Sequence, residues 1–397
     1  MFLTSNEILI ICSLLVMLSY LYNYVSRTFK IPSVLLLIST GIILKLLAKH
    51  LGIQFLFPQS SLELMGTLGL ILIVLEASLE LNLSKEEMPH IKNAFFASFI
   101  ILVISIICIG MILYLWLGAT FKKSIINAIP LAVISSAIAI PSVSGLNKQI
   151  KNFIIYESTF SDILGILFFN YAIQDKLMTL KTISTFGLNF ILIIFISFSG
   201  SILLIFLINK INHHIKFFLI FSILLLLYAI GKEFHLPSLL LILVFGLMIN
   251  NSERFLIRPV KKFFNPDKLK SDLIPFKTIT DETAFLIRTF FFILFGYSVN
   301  LDDILDFKIL FTGFVITASF LLIRYVYLRF TVKESFRIIK LFLAPRGLIT
   351  VILFYSIPSK YIIAEFSIGI VFMVIIITAL MMTISLWKKL EERDLEN

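Results

Sequence analysis

The chain has 397 residues and a formal charge of +10 at pH 7, with 59% hydrophobic residues, 15% charged residues and a mean hydropathy of +1.02. Soluble domains carry about 25% charged residues, so that class is excluded. Apolar residues run continuously instead of alternating, which excludes a membrane β-barrel as well.

Apolar stretches of about 18 residues or more recur from end to end, each long enough to cross a hydrocarbon core of about 30 Å as a helix. In chain order the predicted spans are 6–25, 32–48, 62–81, 93–117, 124–146, 152–174, 186–209, 213–231, 236–250, 283–300, 305–328, 335–357 and 363–387. No basic segment precedes the first, and Glu7 stands at its entrance, so a cleaved secretory signal is not expected. The longest connection, near 251–281, holds Pro259, Pro266 and Pro275 among many charges and reads as an interfacial linker. Cys12 and Cys108 lie inside apolar runs without pairing or metal spacing and read as packing residues. Thirteen spans put the termini on opposite sides. Lys and Arg in alternate loops favour the side of the C-terminus by 22 to 9. The positive-inside rule then places the C-terminus in the cytoplasm and the N-terminus outside. The basic excess is therefore topological, and nucleic acid is not an expected partner; the bilayer is.

The chain repeats itself. "IPSVLLLISTGIIL" (31–44) aligns with "LPSLLLILVFGLMI" (236–249), pairing Pro32 with Pro237, Ser33 with Ser238 and Gly41 with Gly246. These are the second and ninth spans, and an odd offset of seven turns one copy over in the bilayer. "EASLELNL" (76–83) agrees more loosely with "GYSVNLDD" (296–303). The expected organisation is a first inverted repeat over 1–176, a linking helix over 177–210, a second repeat over 211–387 and a short cytoplasmic tail over 388–397. Corresponding spans of such repeats are broken together, and paired interruptions mark the binding site of many transporters. The fifth span holds "SSAIAIPSVSG" (135–145) with Pro141 deep in the run; the twelfth holds "LAPRGLIT" (343–350) with Pro345 and Gly347. Proline removes a backbone donor and strains the carbonyl four residues back. Backbone groups freed in this way survive only inside protein or along a watery cavity.

The sixth span contains "YESTFSDILGILFF" (156–169), with Glu157 and Asp162 among Ser158, Thr159 and Ser161. A carboxylate near mid-bilayer costs about 2.5–3.5 kcal/mol on insertion scales, and such residues mark ion or proton paths. Ser158 and Asp162 share a helix face, as do Glu157 and Ser161. The two acids look about 140° apart, which suits different jobs. A Glu157–Arg324 ion pair that leaves Asp162 free is expected, with Arg288 as the alternative partner; a network of Glu157, Asp162 and Arg324 that only ties helices together is the competing reading. Arg346 is expected to bind backbone carbonyls in the twelfth-span break or to offset a helix end there. Glu76 and Glu80, closing the third span, read as interfacial. His50, His90, His213, His214 and His235 fall near span ends without metal spacing.

Taken together and in order, "RTFKIPSVLLLISTGIILK" (27–45), "LIVLEASLELNL" (72–83), "YESTFSDILGILFF", "FFFILFGYSVNL" (290–301), "LLIRYVYL" (321–328) and "APRGLITV" (344–351) resemble the monovalent cation:proton antiporter superfamily, the sodium/proton exchanger group. The likeness covers nearly the whole chain. It implies an all-α polytopic membrane protein of about thirteen transmembrane helices. It further implies two inverted repeats of six helices with broken crossing helices 5 and 12, a homodimer and elevator-like alternating access. It also implies that Asp162 is the ion-binding acid and Glu157 the acid paired to a basic residue, here Arg324. Ser161 stands where the family usually has Asn. Arg346 matches the arginine of a Gly-Leu-Arg-Gly-like segment. The family's Thr-Asp-Pro at the fifth-helix break is matched by Ala139, Ile140 and Pro141, so a hydroxyl and a carboxylate are missing, with Ser135, Ser136 and Ser142 as the candidates to replace them.

The expected function is exchange of a monovalent cation (Na+ first, with Li+ and K+ as alternatives) for H+ across the plasma membrane. A dry carboxylate at Asp162 holds either a proton or a dehydrated cation. Serine hydroxyls and carbonyls of the two breaks replace part of the cation's hydration shell. The rivals are an organic-anion symporter on the same scaffold and an ion channel. No catalytic motif occurs: there is no His-Glu-x-x-His, no Gly-x-Ser-x-Gly and no histidine near mid-bilayer, so neither an enzyme nor a cofactor is expected.

Overall fold

A computed structural model of the chain describes residues 4–29, 31–52, 59–81, 83, 86–143, 146–173, 191–192, 195–204, 206, 216–233, 238–252, 266–300, 306–331 and 334–395. Among the described residues all regular structure is helical. The helices are α1 (Ser5–Phe29), α2 (Ser33–His50), α3 (Gln59–Glu80), α4 (Met88–Leu117), α5 (Phe121–Ala132), α6 (Ser136–Ser142), α7 (Lys148–Ala172), α8 (Phe195–Leu204), α9 (Lys216–Glu233) and α10 (Leu239–Asn250). They continue with α11 (Pro266–Ser298), α12 (Phe307–Thr331), α13 (Glu334–Phe342), α14 (Leu348–Tyr355) and α15 (Ile368–Leu395), with a single 3-10 turn at Ser359–Tyr361. Seven stretches among these residues are long and apolar enough to cross a membrane. The longest of them, the 30-residue α4, spans about 45 Å. With backbone donors and acceptors satisfied inside each helix, only a helical chain of this composition can stand in lipid. This is an integral membrane protein.

Several elements differ from the sequence expectation. The linker read over 251–281 is helical from Pro266 on, and α11 runs 33 residues. Proline is favoured at the first helical position, where its missing N–H would be unpaired anyway, so Pro266 starts α11 instead of breaking it. Pro259 lies outside the described residues, as do Leu236 and Pro237 of the repeat, His213, His214 and His235, and much of the seventh span outside α8. The short tail from 388 continues α15 as helix to Leu395.

The chain forms two compact units. The first comprises residues 1–69, 93–165 and 286–397, the second 70–92 and 166–285. In the first, α12 packs against α13 and α15, α14 against α5, and α1 against α2. In the second, α9 packs against α10, and Phe276 of α11 is fully buried among Phe217, Phe221 and Phe245.

Residues aligned by the internal repeat make matching contacts, one set within each unit. In the first, Gly41 of α2 lies so close to α11 that a Cβ there would stand 2.1 Å from the Ile293 carbonyl oxygen; Gly296 of α11 would meet the Ile38 carbonyl at 2.2 Å. Four residues beyond Gly41, Lys45 donates to the Val299 carbonyl (2.7 Å) just past the end of α11. In the second unit, Gly246 of α10 lies against Ser78 of α3, whose Oγ would be 1.8 Å from an added Cβ. Four residues beyond Gly246, Asn250 donates to the Leu81 carbonyl (2.9 Å) just past the end of α3, joined by Asn251 (2.9 Å). So α2 meets α11 as α10 meets α3.

The two glycines predict different outcomes. Gly41→Ala pushes a methyl into backbone, which cannot step aside, so the melting temperature of the purified protein is expected to fall sharply; overpacking costs about 1–3 kcal/mol or more. Gly246→Ala pushes mainly against a side chain. Its loss should be largely recovered by Ser78→Gly, which removes the obstructing Cβ and Oγ, whereas Ser78→Gly should not help Gly41→Ala.

Candidate functional site

Two interruptions in the first unit define the site. The chain leaves α5 at Ala132, runs extended through Val133 to Ser135 and resumes as α6 at Ser136. β-Branched Val133 and Ile134 favour extended backbone over helix. The second interruption lies between Phe342 and Leu348, where residues 343–347 are not helical. Pro345 and Gly347 sit in it. Ala139, Ile140, Pro141 and Ser142 do not lie in the unwound stretch of the fifth span. They form part of α6, where the Ala139 N–H bonds the Ser135 carbonyl and Ser142 Oγ returns to the Ile138 carbonyl. The physical reason is that a proline only forfeits one donor, and the carbonyl it leaves, Ala137, receives Arg288 Nη1 at 3.1 Å. The break falls six to eight residues before Pro141, and the hydroxyls beside it are those of Ser135 and Ser136.

Three successive N–H groups that the break exposes are each satisfied from elsewhere. Ile134 donates to Ser161 Oγ (2.9 Å), Ser135 to the Pro345 carbonyl (2.8 Å) and Ser136 to Asp162 Oδ2 (3.2 Å). The two interruptions thus touch directly. A Cβ on Gly347 would stand 2.8 Å from Ser135 Oγ and 2.6 Å from Ile138 Cδ1, so a larger residue here would make those two side chains shift. Gly165 on α7 likewise leaves room for Val133, whose Cγ2 would be 2.2 Å from an added Cβ. The carbonyls at the end of α5 are taken by Arg346: Nε binds Leu131 (2.8 Å), Nη2 binds Ala132 (3.2 Å) and Nη1 binds Ala344 (2.8 Å). Its guanidinium carbon lies 3.3 Å from the Phe320 ring centroid, and its own N–H bonds Thr378 Oγ1 at 3.1 Å. A buried cation at a helix C-terminus offsets the partial negative charge of the last carbonyls.

The acids of α7 have different partners. Glu157 forms a fully buried two-pronged pair with Arg324, Nη1 to Oε1 at 2.6 Å and Nη2 to Oε2 at 2.7 Å. Arg324 Nε also donates to the Lys340 carbonyl (2.9 Å), and the Lys340 ammonium sits 3.8 Å over Phe153, one turn before Glu157. Asp162 is equally buried and is engaged by Ser136, whose N–H reaches Oδ2 at 3.2 Å and whose side chain also faces the carboxylate; its Oδ1 has no partner among the described residues. The same holds for Ser135 Oγ and Thr159 Oγ1. Ser158, one turn from Asp162, donates to the Ile154 carbonyl at 2.7 Å and keeps a lone pair for a ligand.

Of the residues singled out from the sequence, Asp162, Ser161, Pro345, Gly347 and Arg346 meet at the crossing of the breaks. Glu157 and Arg324 form a separate pair on another face of α7, and Arg288 joins α6 from α11. Glu80 is exposed at the end of α3, Glu76 is half-buried, and His50 and His90 are exposed at helix ends. Both cysteines are free thiols and half-buried. Sequence reasoning missed Thr378 and Lys340, and did not single out Thr159 as a buried hydroxyl lacking a partner. Among the described residues no group of three or more His, Cys, Asp or Glu side chains converges to hold a resident metal.

The transmembrane sodium/hydrogen exchanger family matches the chain over residues 13–389. None of the curated proteins matches it. Among solved structures the chain is similar to the sodium proton antiporter MjNhaP1 from Methanocaldococcus jannaschii at pH 8. That likeness has 17% identity, covers 96% of this chain and 98% of that one, and has a TM-score of 0.69. An electron-microscopy map of the same antiporter matches at 17% identity, 98% and 96% coverage and a TM-score of 0.65. At this identity the likeness speaks for the fold.

Proposed function

The chain belongs to the sodium/hydrogen exchanger family of membrane cation:proton antiporters, and we propose that it exchanges Na+, with Li+ and K+ as alternatives, for H+ at the Asp162 carboxylate. One observation carries this reading. Asp162 is a buried acid with one oxygen engaged by Ser136 and the other unpartnered among the described residues, while the neighbouring acid is already neutralised by Arg324. A lone carboxylate out of water needs a counter-charge. A proton and an alkali cation each supply one, and they exclude each other. Ser135, Ser158, Ser161 and Thr159 are the hydroxyls that replace water around the cation, assisted by carbonyls of the breaks at Pro345 and near Gly347. With Glu157 held by Arg324, one proton is exchanged per cation. Access alternates between the two membrane faces, in a homodimer of the plasma membrane with its N-terminus outside and C-terminus in the cytoplasm.

An organic-anion symporter needs a cationic group for its substrate's carboxylate. The three buried arginines among the described residues all donate elsewhere: Arg324 to Glu157, Arg346 to three carbonyls and Arg288 to Ala137. The deciding experiment measures proton movement in everted vesicles after addition of Na+, Li+ or K+ separately. Cation-dependent collapse of the pH gradient is expected with at least one of them; a response to none would overturn the proposal.

A further inference from the structure

α6 has seven residues. A helix that short does not hold its own conformation, so its position depends on tertiary anchors. Its N-terminal end is anchored by the two bonds already described, from the Ser135 N–H to Pro345 and from the Ser136 N–H to Asp162. The next carbonyl, that of Ala137, is the one that Pro141 leaves without its helical donor, since the residue four places on has no N–H. Ala137 is buried, and an unpaired carbonyl in a water-free region is costly. Arg288, buried on α11, supplies the missing donor through Nη1 at 3.1 Å.

The pairing is chemically specific. A proline at 141 creates an acceptor that the helix itself cannot satisfy, and a guanidinium on another helix fills it. An alanine at 141 would restore the N–H, and the carbonyl would turn back into the helix. Arg288 is thereby attached to the backbone one residue after the N–H that holds Asp162.

We propose that Arg288 is a positioning residue for the Asp162 site, holding α6 in place through the carbonyl that Pro141 strips of its donor. The role in transport rests on the antiport reading above; the bond itself does not. It follows that Arg288 matters because position 141 is proline.

The test is a cycle of four proteins: the parent, Arg288→Ala, Pro141→Ala and the double variant, with Arg288→Lys as the conservative control. Each is purified for thermal melting and assayed in everted vesicles for the apparent KM and maximal rate of the cation that gives the largest response. Arg288→Ala is expected to lower the melting temperature and raise the KM roughly tenfold, the size of effect of losing one charged hydrogen bond, with a smaller change in maximal rate. In the Pro141→Ala background the same substitution should shift both readouts by less than half as much, and Arg288→Lys should recover part of the KM. Equal effects of Arg288→Ala in both backgrounds would overturn the proposal, as would a parental KM in Arg288→Ala. If Arg288→Ala does not yield folded protein, the double variant must; failure of both is also a refutation. If the parent exchanges no cation, the antiport reading fails by itself, and the melting cycle still decides whether Pro141 and Arg288 are coupled.

Discussion

Asp162→Asn is expected to abolish cation-driven proton movement for Na+, Li+ and K+ alike, by two orders of magnitude or more, while leaving a folded protein. Asparagine has nearly the same shape, and its side-chain oxygen can still accept the Ser136 N–H that binds Oδ2 in the parent. What it loses is the proton it would exchange and the charge that would balance a cation. A cation entering a buried site without a carboxylate meets the full cost of an uncompensated charge, which proteins do not sustain. The melting temperature should stay level or rise, because a neutral amide no longer asks the interior to hold an acid with one unpartnered oxygen. Dequenching assays in everted vesicles give the transport result, and melting of the purified variant shows that the protein is intact. Exchange that survives in a well-folded Asp162→Asn protein would move the ion site elsewhere and remove the basis of the proposed function.

The part of the site that the sequence disclosed is the part governed by unavoidable costs. A glutamate and an arginine inside apolar runs must find partners, so a Glu157–Arg324 pair is expected with Arg288 left as the alternative, and the structure joins Glu157 and Arg324 at 2.6 and 2.7 Å. Gly41 and Gly246 were legible as equivalents because the repeat places each nine residues after a proline, and both sit at close helix crossings. The break in the fifth span was not placed correctly, because proline is a local signal and the break is a tertiary event. Its location at Val133 to Ser135 depends on Ser161, Pro345 and Asp162 being at hand for three N–H groups, and none of those partners is near in sequence. Pro141 looked like the breaker because the donor that compensates it, Arg288, lies 151 residues from the Ala137 carbonyl it serves. The apparent loss of a hydroxyl at Ala139 and Ile140 has the same origin: those residues belong to α6, and the serines beside the unwound stretch are Ser135 and Ser136. Pro266 misled in the opposite sense, since a proline that can end a helix can also begin one.

Breaking the Glu157–Arg324 pair from one side is expected to have the second large effect, and on the fold before transport. Both groups are buried, and the pair is two-pronged. Removing one partner leaves the other charge alone in the interior, at about 3–5 kcal/mol. Glu157→Gln and Arg324→Ala should each give low yield and a strongly lowered melting temperature. Arg324→Ala should be the worse of the two, since it also abandons the Lys340 carbonyl that Nε holds. Replacing both together, Glu157→Leu with Arg324→Met, removes the unpaired charge. It should recover most of the lost stability, short of the part due to Lys340, because apolar residues of similar volume often substitute for a buried ion pair at little cost. The recovered double variant then separates two views of Glu157. If the pair only ties α7 to α12, the variant should exchange one proton per cation, with a rate insensitive to an imposed membrane potential, as expected for the parent. If Glu157 releases a proton during transport, its loss must change the ratio of protons to cations, and the voltage dependence of the parent and the double variant will differ. A folded double variant that transports no cation at all would show that the pair takes part in transport as well as in packing.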